Sequence, residues 1–215
     1  LTSSARTRRP TGSEPRAAPH RPAAPWRSAT QSPPAWPPSN LPEPRKQEQE
    51  MPTLVPTPKI WMNGSLVDWD KAQVHVLTHT LHYGTGVFEG IRAYETADGP
   101  AVFRLTEHID RLFRSAKILG MDLPYTPAEL VQATKDTVRS TGLPGCYVRP
   151  IAYYGYGEMG LNTIPCSVDV AIACWPWGAY LGDDALTKGV RMKISSWRRI
   201  DHNTMPPAAK TTGNY

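Results

Sequence analysis

The chain beyond residue 50 is predicted to adopt an α+β fold, because its strand and helix signals occur in separate stretches. Three observations predict it: turn dipeptides join short apolar runs, two helix-forming segments follow, and further strands come last. We expect residues 55–178 to form a small N-terminal domain, residues 179–189 a linker, and residues 190–215 the start of a second domain.

Two hairpins are predicted first. Asn63-Gly64 strongly favours a type I′ turn, and Asp98-Gly99 has the same preference. Apolar runs flank each turn: Ile60–Met62 and Leu66–Val67, then Ile91–Glu95 and Ala101–Leu105. Between the hairpins, Val74–Leu77 alternates in the manner of a strand.

Two helices are predicted next. In Thr106–Leu119, apolar residues recur at helical spacing, and Arg111 lies off their stripe. The second helix begins with a capping box from Thr126 to Glu129 and ends at Gly142. The later strands are predicted over Cys146–Tyr154, Ser167–Trp175 and Val190–Ser195.

Residues 1–50 are predicted to be a disordered tail rich in Pro and Arg, because they have almost no aliphatic residues with which to bury surface. They hold 8 Lys+Arg against 4 Asp+Glu, so most of the net charge of +5 belongs to them. The rest is nearly neutral, which argues against a nucleic-acid partner. The tail is either upstream sequence, which we favour because prolines break a targeting helix, or an organelle transit peptide.

The cellular compartment is predicted to be the cytoplasm. The three cysteines, Cys146, Cys166 and Cys174, form no Cys-x-x-Cys pair, so a disulfide framework and a zinc site are both disfavoured. No apolar run approaches the ~18 residues that a membrane helix needs, so no membrane partner is expected.

Three histidines, His75, His79 and His82, are the candidates for a metal site. On a helix all three would share one face, but the β-branched neighbours favour a strand. A strand would place His82 on the opposite face from the other two. We therefore predict no metal site.

Three further motifs bear on chemistry. Glycines in Tyr83–Arg92 permit a close backbone approach, although their spacing is not that of a dinucleotide fingerprint. Tyr147 and Arg149 would project from one strand face, where the guanidinium could bind a carboxylate. Lys210 has small uncharged neighbours, which favour the neutral amine that attacks a carbonyl. The alternative interpretation is that Tyr147, Arg149 and Lys210 are solvated surface residues without a chemical role.

These signals occur together in an order that resembles one family. The segments that carry the resemblance run from residue 59 to residue 215: Ile60–Gly64, Leu81–Arg92, Glu107–Arg111, Tyr147–Pro150, Pro176–Leu181, Ser195–Trp197 and Ala208–Tyr215. They resemble the bacterial-type branched-chain amino acid aminotransferases, which are fold-type IV pyridoxal 5'-phosphate enzymes. The implied fold is the small N-terminal domain of that type with the start of the larger C-terminal domain.

The resemblance implies roles for particular residues. Lys210 would bond to the cofactor and move the substrate proton, Arg111 would contact the cofactor phosphate, and Tyr215 would reach the ring hydroxyl. Tyr147 and Arg149 would meet the distal carboxylate of the second substrate. The apolar substrate pocket would be lined by Phe88, Tyr83, Trp177 and Tyr180, with Gly90 leaving room in it.

The reaction that the resemblance implies is transamination. L-Leucine, L-isoleucine or L-valine would react with 2-oxoglutarate to give the branched 2-oxo acid and L-glutamate, in a homodimer or larger homo-oligomer. The family's residues beyond the lysine segment supply a partner for the pyridine nitrogen, so we expect this chain alone to be inactive.

Two kinds of alternative remain at this point. Within the same fold, the alternatives are a D-amino acid aminotransferase and an aminodeoxychorismate lyase. From another class, the alternative is a non-catalytic module that binds another protein through an unpartnered apolar face. Tyr147–Pro150 and Pro176–Tyr180 favour the branched-chain type.

Overall fold

The computed structural model describes residues 54–177 and 185–215. Within them, seven strands form one antiparallel sheet. They are β1 Lys59–Met62, β2 Ser65–Asp68, β3 Gly86–Phe88, β4 Ile91–Thr96, β5 Gly99–Val102, β6 Cys146–Tyr154 and β7 Val168–Trp175. The order across the sheet is β2-β1-β7-β6-β4-β5, and β3 pairs with β6. Every pairing is antiparallel.

Helices accompany the sheet. They are α1 His79–Tyr83, α2 Leu105–Ile118, α3 Pro127–Thr141 and the short α4 Ala185–Lys188. Two 3₁₀ turns lie at Trp69–Lys71 and Thr212–Asn214. The predicted α+β class is therefore confirmed.

The hydrophobic core lies between one face of the sheet and helices α2 and α3. Strand β6 alternates buried and half-buried residues, because successive side chains point to opposite faces. Val148 on β6 and Ile172 on β7 are fully buried in the same cluster as Leu112 of α2 and Leu130 of α3. Burying each such side chain stabilises the fold by about 1.5–3 kcal/mol. The half-buried residues of β6, which point away from this core, are available for a binding surface.

Most of the predicted elements are confirmed. Asn63 and Gly64 have positive φ angles of 47° and 97°, as a type I′ turn requires. In the second hairpin, Thr96 pairs with Gly99, so the turn starts one residue earlier than its glycine suggested. The capping box of Thr126 and Glu129 is present at the start of α3.

Two strand predictions were wrong. Val74–Leu77 forms a turn, because the backbone N–H of Thr78 donates to the carbonyl of His75 and the N–H of Leu77 donates to the His75 ring. The histidines at 79 and 82 consequently lie on α1, not on a strand. Val190–Ser195 is exposed coil that pairs with no strand among the described residues, despite its alternating pattern.

Three predictions concern segments only partly or not at all described. The tail at 1–50 lies outside the described residues. So does Tyr180. Of the proposed linker at 179–189, residues 185–189 are described, and they contain α4. The division into domains stays a prediction.

Candidate active site

The backbone of Lys210 is clamped between α2 and β3. Its N–H donates to the Ser115 hydroxyl at 3.1 Å. Its carbonyl accepts from the Phe88 N–H at 3.0 Å. Beside it, Thr211 forms a β-bridge with Val87, and both are fully buried. A segment that is otherwise coil thereby acquires a fixed position against the edge of β3.

The glycine-rich segment serves this packing. A Cβ on Gly84 would lie 2.8 Å from the Cα of Gly213, and Gly84 has a φ of +65° as the C-cap of α1. The Thr212 hydroxyl donates to the Gly84 carbonyl at 2.8 Å. The close backbone approach predicted for these glycines is real, but at Gly84 its object is the lysine segment of the same chain.

The Lys210 amine lies between two aromatic rings. It donates to the Tyr215 hydroxyl at 2.9 Å. Its nitrogen is 4.4 Å from the centre of the Phe88 ring and 4.7 Å from that of Tyr215. The structure thus brings two predicted site residues, Phe88 and Tyr215, to the amine of a third, Lys210.

A cavity of about 550 Å³ opens on one side of that amine, and we call it the cationic cavity. Its cations are Arg111 from α2, Arg198 and Arg199 from the exposed coil, and Lys210. The remaining lining residues are Ile200, Met205, Pro207, Ala208, Ala209, Asn214 and Tyr215. Four basic side chains around one space favour an anion, because guanidinium groups match phosphate oxygens in geometry and charge.

Arg111 is held from behind by a buried carboxylate. Its Nε and Nη2 donate to the two oxygens of Glu89, each at 2.6 Å. The Nδ1 of His108 lies 2.9 Å from a Glu89 oxygen. Burial raises the pKa of the Glu89 carboxyl, but hydrogen bonds from Arg111 and His108 outweigh it, so this pKa lies below its usual value. The Glu89 hydrogen bond raises the pKa of Arg111 in turn.

A second cavity of about 530 Å³, which we call the aromatic cavity, also has Lys210 in its wall. It is lined by Phe88, Arg92, Tyr147, Arg149, Trp177, Lys210 and Tyr215. The rings of Tyr147 and Trp177 stack at 4.6 Å. The Arg149 guanidinium donates to the Tyr147 hydroxyl at 3.0 Å and lies 4.8 Å from the centre of the Phe88 ring. This is an apolar space with guanidinium groups in its wall.

Gly90 shapes the aromatic cavity through Tyr147. A Cβ at position 90 would collide with the Tyr147 hydroxyl oxygen and lie 3.1 Å from the ring carbon that bears it. The room left by this glycine is therefore filled by the Tyr147 phenol of β6, which accepts a hydrogen bond from Arg149 of the same strand.

Other predicted residues lie elsewhere, and several site residues were missed. The Tyr83 ring packs against His79 and His82 on α1 and is half exposed, and it does not line either cavity. The missed residues are Glu89, Arg92, His108, Ser115, Arg198 and Arg199. The adjacent arginines 198 and 199 were the one available signal among them, because nothing in the sequence marks Glu89 or Ser115 as buried.

Metal-binding and membrane-spanning features do not occur in the described part of the chain. Nowhere in 54–177 and 185–215 do three His, Cys, Asp or Glu side chains gather as a metal site would require. The helices in these ranges are all too short or too polar to cross a bilayer.

Known proteins are similar to this chain in sequence and in fold. The family described as Amino-transferase class IV matches residues 86–215. The branched-chain-amino-acid aminotransferase of Pseudomonas aeruginosa is 49% identical over 156 residues, which are 73% of this chain and 51% of that protein. That of Escherichia coli K12 is also 49% identical, with the same coverage.

Solved structures similar to this chain are also branched-chain aminotransferases. The crystal structure of the Escherichia coli branched-chain amino acid aminotransferase matches with a TM-score of 0.71 and 48% identity, covering 74% of this chain and 52% of that one. The branched-chain aminotransferase of the thermophilic archaeon Thermoproteus uzoniensis, solved with norvaline, matches with a TM-score of 0.68 and 46% identity, covering 73% and 52%. A further branched-chain aminotransferase structure, with pyridoxamine 5'-phosphate, has a TM-score of 0.70 and 51% identity, covering 74% and 53%.

Fold and site together define an α+β protein in which one lysine lines both the cationic cavity and the aromatic cavity. The chain belongs to the class IV amino-transferase family. It spans about half the length of the curated relatives it matches.

Proposed function

We propose that this chain carries the lysine half of a pyridoxal 5'-phosphate-dependent transaminase acting on L-leucine, L-isoleucine and L-valine, with 2-oxoglutarate as amino acceptor. The observation that carries the proposal is the Lys210 amine, which lies between a cationic and an aromatic cavity. The named relatives are branched-chain aminotransferases, which favours this function over the D-amino acid and lyase alternatives.

The residues fit the cofactor chemically. The cationic cavity offers Arg111, Arg198 and Arg199 to a phosphate, and its wall also holds an amine and a phenol. When bound, pyridoxal phosphate supplies an aldehyde for the amino group and a ring that withdraws electrons from the α-carbon. Lys210 would hold it covalently, Arg111 would bind its phosphate, and Tyr215 would bind its ring hydroxyl.

Lys210 has a second task in this proposal. Once released from the cofactor, its amine would accept the proton of the substrate α-carbon and deliver it to the cofactor carbon that carried the aldehyde. The Tyr215 hydroxyl and the Phe88 ring hold the amine, while the backbone clamp from Ser115 and Phe88 fixes its root. Positioning of this kind is what makes proton transfer efficient.

The aromatic cavity would bind the substrate side chain. Phe88, Tyr147 and Trp177 present apolar rings to a branched chain and exclude water from it. Arg149 and the Tyr147 hydroxyl would bind the distal carboxylate of 2-oxoglutarate. For Gly90 and Tyr180 we retain the predicted pocket roles, with Gly90 acting by admitting the Tyr147 phenol. The pocket role of Tyr83 stays a prediction, because its ring lines neither cavity of this chain.

We propose a homodimer as the working form. Leu161 and Ile164, in the loop between β6 and β7, are more than nine-tenths exposed, and apolar side chains so placed favour burial against a partner. Sedimentation of the purified protein tests this, and a single monomeric species at micromolar concentration would contradict it.

Borohydride trapping tests the cofactor proposal. The 215-residue chain is mixed with pyridoxal phosphate, reduced, digested and mapped by mass spectrometry. We expect Lys210 to be labelled faster than the exposed Lys71, and Lys210→Ala to remove that label only. Equal labelling of all lysines would contradict the proposal.

Activity is tested in an extended chain, in which the C-terminal half of the Escherichia coli relative follows Tyr215. We expect turnover of L-leucine with 2-oxoglutarate and none of D-alanine. Lys210→Ala should lower the rate about 10⁴-fold, the upper range for loss of a positioned proton-transfer group.

A further inference from the structure

Glu89 is a fully buried carboxylate for which the proposed function supplies no task. Burying a charge costs free energy unless it is paired and hydrogen-bonded. Three contacts compensate Glu89: two from Arg111 at 2.6 Å each and one from His108 at 2.9 Å. Glu89 follows Phe88, which lines the aromatic cavity, and binds Arg111, which lines the cationic cavity, so it calls for an explanation beyond core packing.

The geometry of the pair fixes one edge of Arg111. The Nε and Nη2 atoms are committed to Glu89, while the side chain stays nearly half exposed and lines the cationic cavity. Bidentate pairing holds a guanidinium in one plane, because two parallel N–H···O bonds cannot both survive its rotation. The Nη1 edge is thereby kept available to an anion.

The other arginines of the cavity lack such a support among the described residues. Arg198 and Arg199 lie in exposed coil. The Arg199 guanidinium lies 5.8 Å from the centre of the Tyr215 ring. Arg111 comes from a regular helix and is locked by a buried partner. Of the arginines that line this cavity, Arg111 is the one whose orientation the fold determines.

We propose that Glu89 is a positioning residue for anion binding: through Arg111 it orients the guanidinium that receives a phosphate in the cationic cavity. The proposal rests on the proposed function, since the phosphate is that of the cofactor. Glu89 itself touches neither the cofactor nor the substrate. His108 completes the support by occupying one Glu89 oxygen.

Charge alone would have the opposite effect. Glu89 is negative and lies beside an anion site, so removing its charge should strengthen phosphate binding if only Coulomb attraction mattered. Positioning predicts weaker binding. In Glu89→Gln, the amide NH₂ would meet an N–H donor of Arg111 at Nη2 or at Nε, so one of the two bonds is lost. The two explanations therefore differ in sign.

The measurement uses the 215-residue chain. Labelling of Lys210 and of the exposed Lys71 is followed in the same sample, once with pyridoxal phosphate and once with pyridoxal. The labelling rate of Lys210 is divided by that of Lys71, first for pyridoxal phosphate and then for pyridoxal. The first ratio divided by the second is the phosphate preference, which isolates the contribution of the phosphate group. Initial rates report on the encounter even when binding is weak.

Glu89→Gln should lower this phosphate preference about tenfold, the size expected for a lost charge-assisted hydrogen bond. Glu107→Gln is the matched control: it removes the same charge from the exposed pair of Glu107 with Arg104 on α2 and should change the preference little. Glu89→Asp keeps the charge but shortens the side chain, so it should also lower the preference. It is the milder variant if Glu89→Gln does not fold.

The outcomes separate the two proposals. If wild-type Lys210 shows no faster labelling than Lys71, the cofactor proposal fails. If Lys210 is labelled with a phosphate preference that Glu89→Gln raises, or that Glu89→Asp leaves unchanged, the positioning role of Glu89 fails while the cofactor proposal stands.

Discussion

The cationic and aromatic cavities meet at Lys210 and Tyr215 but are built in different ways. The aromatic cavity draws mainly on one face of the sheet, where Tyr147 and Arg149 alternate with buried residues along β6. The cationic cavity combines a helix with coil residues far away in sequence. Alternation along β6 places Tyr147 and Arg149 side by side before any tertiary contact forms, whereas Arg111 meets Arg198 and Arg199 only in the folded chain. The aromatic cavity also needs the fold to add Phe88 and Lys210 to its wall.

Arg149→Met in the extended chain tests the aromatic cavity. We expect kcat/KM for 2-oxoglutarate to fall about 10- to 100-fold, because a charged hydrogen bond to the carboxylate is lost. Reaction with L-leucine should change far less, since its side chain has no carboxylate. Half-reactions measured separately show this.

Arg139→Met is the control, because Arg139 forms an exposed pair with Asp136. An equal loss for both substrates in Arg149→Met would mean that Arg149 supports the cavity wall and does not discriminate between substrates.

Gly90→Ala should break the aromatic cavity while sparing the cationic one. The added methyl group would collide with the Tyr147 hydroxyl, so we expect a cost of about 2 kcal/mol in the free energy of unfolding, typical of overpacking. Denaturant unfolding measures it. Adding Tyr147→Phe should recover part of the loss, and no recovery would point to backbone strain instead of this collision.

Ser115→Ala tests the clamp that both cavities share. It leaves the Lys210 N–H without its acceptor, which should cost about 1 kcal/mol. Lys210 labelling should slow while that of Lys71 does not change. Ser140→Ala on α3 serves as a comparison, because its hydroxyl bonds only within its own helix. Unchanged Lys210 labelling in Ser115→Ala would contradict the role of the clamp.

Of the two cavities, acid should affect the cationic one, where the Glu89 carboxylate holds Arg111. The pKa of Glu89 is lower in the folded chain than its ordinary value of 4.5, so the unfolded state binds the proton more tightly. The stability that Glu89 contributes is fully present above pH 4.5 and is lost as the pH falls through the lower, folded value. The unfolding free energy should therefore decline less steeply with acid in Glu89→Gln than in the wild type. Parallel slopes would contradict this.

Much of the fold was predictable from local signals. The hairpin at Asn63-Gly64 follows from a dipeptide that accepts positive φ, and the start of α3 follows from the pairing of Thr126 with Glu129. Val74–Leu77 and Val190–Ser195 show the limit, since alternation indicates a strand only where a neighbour supplies hydrogen bonds. Periodicity cannot reveal whether that neighbour exists.

The sequence by itself determined the helix faces, the shared orientation of Tyr147 and Arg149, and the identity of Lys210 as the candidate amine. Tertiary structure decided how these residues are held. Ser115 and Phe88 fix the lysine backbone, and the buried Glu89 carboxylate accepts two hydrogen bonds from Arg111. The physical reason is distance along the chain. A hydrogen bond between residues 95 positions apart leaves no periodic trace, because only the folded chain brings its donor and acceptor together.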